Sequence, residues 1–291
     1  MASHTPSRHP QKAAARQVEA GSSAYPAALR GLRQDFAPPT LWMRGQVPAG
    51  PAVAVVGARH ASAFGLVAAR LIASGLAAEG RVVVSGGAAG VDGTAHRGAI
   101  DAGGATVVVL GTGIDIAYPP RHAPLFDEVV ASGGAVLSQF AVGVGPSPWS
   151  FPKRNKVIAA LSEVVIVVEA GEGSGALYTS SAARELGRPV VVMTGSNGCD
   201  RMAAGGIPHG AGPDEVLAMA LGDWVVPQRR SEPEDPRALL LYQALDGTPR
   251  DLSELAARAG ISASEAMSIA IDLEIGGHAA RAAGGRYLRL S

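Results

Sequence analysis

Short apolar runs and helical patterns alternate along most of the chain. The run at residues 164–168 has the length of a buried strand, whereas residues 65–79 repeat apolar side chains at helical spacing and end before Gly80. Continuous apolar strands that alternate with helices are typical of a parallel sheet covered on both faces. The pattern therefore predicts an α/β fold with a Rossmann-like, doubly wound, mostly parallel sheet.

The same pattern locates the elements of this sheet. The predicted strands are residues 53–56, 82–84, 106–110, 135–137, 164–168 and 189–193, with a further strand and turn at 41–45. The predicted helices are residues 65–79, 94–102, 123–132, 155–161 and 175–186. From residue 53 onward strands and helices alternate without exception, as successive βα units require.

Composition along the chain predicts four parts. Residues 1–24 are rich in Ala, Ser, His and Arg without a steady period, which predicts a mobile N-terminal tail. Residues 25–226 hold the Rossmann-like domain with a lead-in segment at 25–50, and the polar, Pro-bearing residues 227–237 predict a linker. Residues 238–291 carry three helical patterns and two strand-like pieces, an order that predicts a small C-terminal winged-helix domain.

Overall composition narrows the class of protein. Apolar residues make up 47% of the chain and aromatic residues 4%, so the core must be built from Ala, Val, Leu and Ile. The single cysteine, Cys199, excludes a disulfide within the chain and fits a reducing compartment. The apolar runs are too short for a membrane span and the N-terminal residues lack a signal peptide's apolar stretch, so we expect a cytoplasmic protein without membrane contact. The net charge is zero, so any nucleic-acid site must be a local patch.

The turn after the predicted strand at 82–84 offers a phosphate site. It contains five candidate contact residues: Ser85, Gly86, Gly87, Ala88 and Gly90. Small residues let backbone amides approach an anion, and a helix start adds unpaired N–H groups and a partial positive charge. The alternative is a tight turn that needs glycine for packing. Asp92 and His96, which follow, are interpreted as a helix cap and a hydrogen-bonded core histidine.

Three further segments offer polar groups to the same edge of the sheet. They contribute Arg59 after the first strand, the cluster Lys153, Arg154, Asn155 and Lys156, and the turn residues Ser174, Gly175 and Thr179. A row of amides, hydroxyls and cations suits a polyanion better than a mononucleotide. Phe151 and Tyr118 lie in or near these segments and are available to stack on bases.

Motifs of catalysis and cofactor binding are missing. The sequence contains no GxxxxGK[ST], HExxH or GxSxG, and the turn at 111–113 lacks the third glycine of the dinucleotide fingerprint. The seven histidines are scattered without metal-ligand spacing. We therefore predict no catalytic residue, no metal site and no cofactor.

These motifs resemble the DNA-processing protein A (DprA/Smf) family. Five family motifs have counterparts here: GSR at 57–59, SGxARGID…AH at 84–96, YP at 118–119, FPxRNRxIAGLS at 151–162, and E…SGSLxT at 169–179. The resemblance covers about residues 25–220, together with the winged helix found in many members.

The resemblance implies a function. Members of the family bind and protect single-stranded DNA, dimerise through the Rossmann-like domain, and load RecA recombinase onto DNA taken up in natural transformation. It implies phosphate contacts from the residues that match the motifs: Arg59, residues 85–90, Lys153, Arg154, Asn155 and Lys156. Glu169, on the strand before its turn, is interpreted as a structural residue.

The chain departs from the family pattern at several positions. Ala89 stands where the family has Arg, Gln139 replaces a Glu, and Thr194 replaces a Pro. Residues 197–209 lack the family's GxNxLI pattern, which affects the expected dimer surface more than the DNA cleft. A divergent member of the family is therefore expected.

Two other functions remain open from the sequence. The first is a nucleotide-processing enzyme of the related LOG-type phosphoribohydrolases, which place a Glu just after a glycine turn; here residues 176–180 contain no acid. The second is a nucleotide sensor with the winged helix as its output.

The presumed recognition helix at 262–276 contains three acids and no Lys or Arg, which favours a protein-contact or autoinhibitory face over one that reads a major groove.

Overall fold

The computed structural model describes residues 14–222, 233, 235–246, 250–275, 278–282 and 285–289. The chain divides into two compact units, Met1–Trp224 and Val225–Ser291. Among the helices within these ranges, none has the length and apolar character needed to cross a bilayer.

A nine-stranded mixed sheet forms the centre of the first unit, over residues 14–222. Its strands are β1 (Arg16–Glu19), β2 (Thr40–Gly45), β3 (Ala52–Val56), β4 (Val82–Ser85), β5 (Thr106–Leu110), β6 (Ala135–Ser138), β7 (Val164–Val167), β8 (Val190–Met193) and β9 (His209–Gly210). The spatial order is β1-β2-β6-β5-β4-β3-β7-β8-β9. Seven neighbouring strands are parallel to one another: β6, β5, β4, β3, β7, β8 and β9. β2 and β1 extend the β6 edge as antiparallel strands. From β3 the chain adds β4, β5 and β6 on one side, and then β7, β8 and β9 on the other side. Doubly wound sheets bind ligands at this change of side, which lies between β3 and β7.

Helices cover both faces of this sheet. They are α1 (Ala63–Ala78), α2 (Val91–Asp101), α3 (Ala123–Ala131), α4 (Ser150–Leu161), α5 (Gly175–Glu185), α6 (Asn197–Ala204) and α7 (Pro213–Leu221). Val53 and Val55 pack on one face with the core of α1 and α2, whereas Ala54 and Val56 pack on the other with α4 and α5. Because successive strand residues point to opposite faces, both sets must be apolar, and this explains the continuous runs in the sequence. The predicted doubly wound sheet is confirmed.

The N-terminal residues correct one prediction. Arg16–Glu19, inside the segment predicted to be a mobile tail, forms β1 and pairs with β2. Val18 is buried against the core of the first unit. The sequence of β1 holds only one apolar residue, so its strand depends on pairing rather than on a periodic pattern. The tail prediction for residues 1–13 lies outside the described residues.

Two other differences lie in the helices. α4 begins at Ser150, five residues before its predicted start, so residues 151–154 are helical rather than part of a loop. α6 and α7 were not predicted from the periodicity. The boundaries of α7 nevertheless carry ordinary signals, because Pro213 is its first residue and Gly222 ends it in the left-handed conformation.

The second unit is a winged helix in the residues that the structure describes. Its elements are α8 (Pro236–Ala244), α9 (Leu252–Ala259), α10 (Ala263–Ile275), β10 (Ala279–Ala282) and β11 (Arg286–Arg289). β10 and β11 pair as an antiparallel hairpin, and Leu241, Leu255, Leu273 and Tyr287 share one small core. Asp235 caps α8 within the predicted linker, so the last two residues of that segment are helical. Linker residues 227–232 lie outside the described part of the chain.

Candidate nucleic-acid interface

Loops that follow three parallel strands are hydrogen-bonded to one another at the carboxyl edge of the sheet. The amide of Ala58, after β3, donates to the carbonyl of Glu169, after β7, at 2.7 Å. The carbonyl of Ala58 accepts from the amide of Val91, which opens α2 after the β4 turn, at 3.2 Å. This edge therefore brings together three of the four segments that the sequence predicted to converge.

Packing dictates the glycines of the turn after β4. Gly87 has a φ of +69°, and a Cβ at this position would lie 2.8 Å from the Phe126 ring. A Cβ on Gly86 would lie 2.3 Å from the Arg154 guanidinium, and one on Gly90 would lie 2.2 Å from the carbonyl oxygen of Ala58. The packing alternative therefore accounts for these three glycines without a ligand.

An internal carboxylate already faces the amides of this turn. Asp92 is buried in the first turn of α2, and its Oδ2 accepts from the Ala88 amide at 3.4 Å. Asp92 is not the cap residue, because Gly90 occupies that position. Burial raises the pKa of the Asp92 carboxyl, against the opposing effects of the Arg154 charge and of the Ala88 and Gly86 amides. Within the turn, donors predicted to hold a phosphate thus interact with the protein's own acid.

Arg154 is a buried structural residue, which corrects its predicted role as a phosphate contact. Only 5% of Arg154 is exposed. Its guanidinium donates to the carbonyl of Gly86, to that of Val109 at 2.6 Å, and to Oδ1 of Asn155 at 2.9 Å. Burial lowers the pKa of Arg154 to about 10, although the Asp92 charge opposes this shift. The side chain thus ties the ends of β4 and β5 to α4.

Three more predicted contacts are buried. Asn155 donates from Nδ2 to the Gly175 carbonyl at 3.0 Å and joins α4 to the start of α5. The Ser85 hydroxyl donates to the Val55 carbonyl at 2.6 Å, and Thr179 is 1% exposed. The side chains of these three residues are therefore part of the protein interior, contrary to the prediction that they contact DNA.

The exposed predicted residues form a smaller group, the Arg59 cluster, defined as Arg59, Phe151 and Tyr118. The exposed Arg59 guanidinium lies 4.8 Å from the centroid of the Phe151 ring. Phe151 is half-buried over Gly111, and its ring centroid lies 5.6 Å from that of Tyr118, which is 38% exposed. The loops after β3 and β5 and the first turn of α4 meet in this cluster.

Lys153 and Lys156 lie in different surroundings, although both are on α4. Lys153 is exposed, and its ammonium group lies 5.2 Å from the centroid of the Trp149 ring. Lys156 pairs with Asp35 at 2.6 Å and lies over the ring of Phe36, in the lead-in segment. Both contacts are with the lead-in segment rather than with the Arg59 cluster, so they do not support the predicted convergence of Lys156 on the same edge. Trp149 was missed by sequence reasoning, although an aromatic residue beside the 151–156 motif was a visible signal.

The second glycine turn, residues 171–175 before α5, contains a residue that caps a helix. Ser174 is the N-cap of α5 and accepts from the Ala176 amide at 3.4 Å, whereas Gly175 is exposed. The Glu169 carboxylate accepts from the hydroxyl of Ser62 at 2.7 Å and from its amide at 3.1 Å. Since Ser62 is the N-cap of α1, Glu169 holds the start of that helix.

His96 is fully buried on α2 and faces β5. Its Nδ1 lies 2.7 Å from the hydroxyl oxygen of Thr106, which itself donates to the Val83 carbonyl at 2.7 Å. Nδ1 therefore carries the proton. Burial lowers the pKa of His96 to about 3, and the nearby His122 and Arg154 act in the same direction. Across residues 14–222 and the described parts of the second unit, no group of three or more His, Cys, Asp or Glu is arranged to hold a metal ion.

Comparison with known proteins relates both units to one family. The sequence model of the family described as DNA recombination-mediator protein A matches residues 16–210, and that of the DprA winged helix domain matches residues 226–285. The protein Smf of Escherichia coli is 34% identical over 292 aligned residues, which cover 94% of this chain and 77% of that protein.

Two solved structures are similar to this chain. The X-ray structure of DNA processing protein A from Streptococcus pneumoniae has a TM-score of 0.62 and 35% identity, and the match covers 70% of this chain and 73% of that one. A DNA processing protein A from Helicobacter pylori, whose structure was described for its single-stranded DNA binding mode, has a TM-score of 0.62 and 25% identity. That match covers 72% of this chain and 97% of the H. pylori chain.

The buried role of Arg154 predicts a stability defect. Arg154→Met keeps the approximate length of the side chain but removes the donor to the Gly86 and Val109 carbonyls and the positive charge that acts on the buried Asp92 carboxyl, so we expect the free energy of unfolding to fall by about 3–5 kcal/mol. Chemical denaturation followed by circular dichroism measures this loss. The control is Lys153→Met, an adjacent exposed position, for which we expect a change of about 0.5 kcal/mol or less. Equal stability of the two variants would contradict the structural role.

The buried neutral His96 predicts acid sensitivity. Its folded-state pKa of about 3 lies below the ordinary value of 6.5, so between these pH values the unfolded chain binds a proton that the folded protein does not. The stability that His96 contributes is therefore complete above pH 6.5 and falls as the pH decreases, by up to about 1.4 kcal/mol per pH unit. The pKa of Asp92 is raised, so its contribution to stability has the opposite pH dependence. The effect of His96 must therefore be read from two proteins that differ only at residue 96. His96→Asn, measured by denaturation from pH 7 to pH 4, should show a shallower pH dependence than the unmodified chain; identical slopes would reject the assignment.

Proposed function

Since the chain belongs to the DNA recombination-mediator protein A (DprA/Smf) family, we propose that it binds single-stranded DNA and acts in DNA processing. The observation that carries this proposal is the Arg59 cluster at the carboxyl edge of the parallel sheet. There an exposed guanidinium lies over one aromatic ring, and a second, partly exposed ring lies beside it. Single-stranded nucleic acid is bound by cations that meet the backbone and aromatic rings on which bases stack, so the cluster offers both required groups.

The finer parts of this proposal come from family membership. We propose that the protein protects incoming DNA, delivers it to RecA recombinase in natural transformation, and dimerises through the Rossmann-like unit. A cytoplasmic location stays a prediction from the sequence.

A role without catalysis is favoured by the partners of the acids near the second glycine turn. Glu169 holds the first turn of α1, and Glu185 pairs with Arg33 of the lead-in segment. Glu172 pairs with Arg201 on α6. A LOG-type enzyme needs a carboxylate that reaches a ribose, and these three acids each have a partner within the protein. We therefore propose binding rather than nucleotide hydrolysis.

Binding to oligonucleotides over a salt series tests this function. We expect oligothymidylates of increasing length to bind with increasing affinity, measured by fluorescence anisotropy, and binding to weaken as salt rises because neutralised phosphates release counterions. Arg59→Ala should make the logarithmic salt slope shallower by about 0.7–1 unit. Lys156→Ala should change it less, since Asp35 compensates that charge.

The matched control for Arg59 is Arg70→Ala. Arg70 is an exposed arginine on α1 that pairs with Asp101, so its loss should leave the salt slope unchanged. Tight binding of a mononucleotide with indifference to oligonucleotide length would instead favour the enzyme or the sensor.

We also propose that α10 of the winged helix contacts protein rather than duplex DNA. Its exposed side chains include Met267 and Ile271 together with Asp272 and Glu274, and Glu265 pairs with Arg237. A helix that enters a major groove needs cations for phosphates and base edges, and α10 has none. Residues 236–291, expressed alone and checked for helical content by circular dichroism, should bind duplex DNA weakly; strong binding that falls steeply with salt would overturn this proposal.

A further inference from the structure

An exposed indole lies just outside the Arg59 cluster. Trp149 is the residue before α4, and 55% of it is exposed. Its ring centroid lies 5.5 Å from that of Phe140, with the two planes at 78°, and the Lys153 ammonium group lies 5.2 Å from the same indole. Phe140 is itself only 7% exposed, so the indole rests against a fixed ring.

The fold gives Trp149 no interior role that accounts for its size. Its side chain makes no capping hydrogen bond to α4, and more than half of the residue lies in solvent. Base-stacking positions consist of a large, rigid aromatic surface and a nearby cation. Trp149 has both, and its ring is supported by a buried neighbour.

The topology of the sheet places Trp149 in line with the Arg59 cluster. Arg59 follows β3, Phe151 packs on Gly111 after β5, and Trp149 packs on Phe140 after β6. Hydrogen bonds join the last two loops, because the Gly113 amide donates to the carbonyl of Val144 at 2.7 Å. β3 and β6 are three strand spacings apart in the sheet, about 14 Å. Trp149 precedes Phe151, the ring under Arg59, by two residues at the start of α4.

We propose that Trp149 and Lys153 form a second stacking position, at which the indole stacks on a base of single-stranded DNA and the ammonium group meets a neighbouring phosphate. The position rests on the proposed function and extends it: the interface takes an oligonucleotide from the Arg59 cluster, across the loop after β5, to the loop after β6. Trp149 contributes through the base and Lys153 through the backbone charge, so their contributions are separable.

Abasic oligonucleotides separate the two contributions. The full chain is titrated with oligothymidylate and with an oligonucleotide of the same length in which abasic residues keep the phosphates and remove the bases. We expect Trp149→Ala to weaken binding of oligothymidylate by about 5- to 150-fold, the range for loss of one stacked base, and to leave binding of the abasic strand unchanged. Lys153→Ala should instead weaken both strands equally and make the salt slope shallower by about 0.7–1 unit.

Two further variants keep the result interpretable. Trp149→Phe retains an aromatic ring and should retain most of the preference for bases, whereas Leu71→Ala removes an apolar side chain that is 52% exposed on α1 and should change neither affinity. If Trp149→Ala weakens both strands equally, or neither, the second stacking position is rejected while the proposed function stands. If the unmodified chain binds no single-stranded DNA, the proposed function fails and this position fails with it.

Discussion

The geometry of the carboxyl edge depends on one buried cation, the guanidinium of Arg154. It joins the carbonyl oxygens of Gly86 and Val109, at the ends of β4 and β5, and faces the buried carboxyl of Asp92. A side chain on Gly86 would occupy the space that this guanidinium needs. The same helical face of α4 carries Phe151 three residues earlier, so the ring that supports Arg59 has its position set by the buried interaction. A buried charge adds little net stability compared with apolar packing, and the value of Arg154 here is that its hydrogen bonds fix where the exposed groups lie.

The environment of each cation distinguishes the candidate interface from the rest of the first unit. Arg59 and Lys153 lie over aromatic rings. Elsewhere in the described part of this unit, several cations pair with carboxylates: Arg33, Arg44, Arg70, Arg97, Lys156 and Arg201. Of these, Arg33 and Lys156 also lie over the ring of Phe36. A cation over a ring keeps its hydrogen-bond donors and its charge for a phosphate, whereas a paired cation must first leave its carboxylate. A chain of zero net charge can therefore hold a local site for a polyanion.

The sequence predicted the fold well because the parallel strands are buried on both faces and leave long apolar runs. It missed β1, since Arg16–Glu19 contains one apolar residue and its structure depends on pairing with β2. The site was predicted less completely for a physical reason: a motif names residues but not the direction of their side chains. Once α4 begins at Ser150, Arg154 and Asn155 turn inward, and Lys156, about 200° further round the helix than Arg154, meets Asp35 instead. No sequence pattern indicated that pairing, because Asp35 lies 121 residues away.

The internal carboxylate has a consequence for how such a protein would select its ligand. In nucleotide-binding relatives of this fold, the glycine turn before a helix takes the phosphate directly. Here Asp92 faces that turn from the interior, and Ala89 contributes no cation to it. Under the proposed function, a free phosphate or mononucleotide would therefore find this turn less favourable, and DNA would be recognised by the rings and cations on the loop tips. Rings spaced along a sheet edge favour a ligand with several bases on one flexible backbone, and for a single strand the exposed aromatic residues matter as much as the charge.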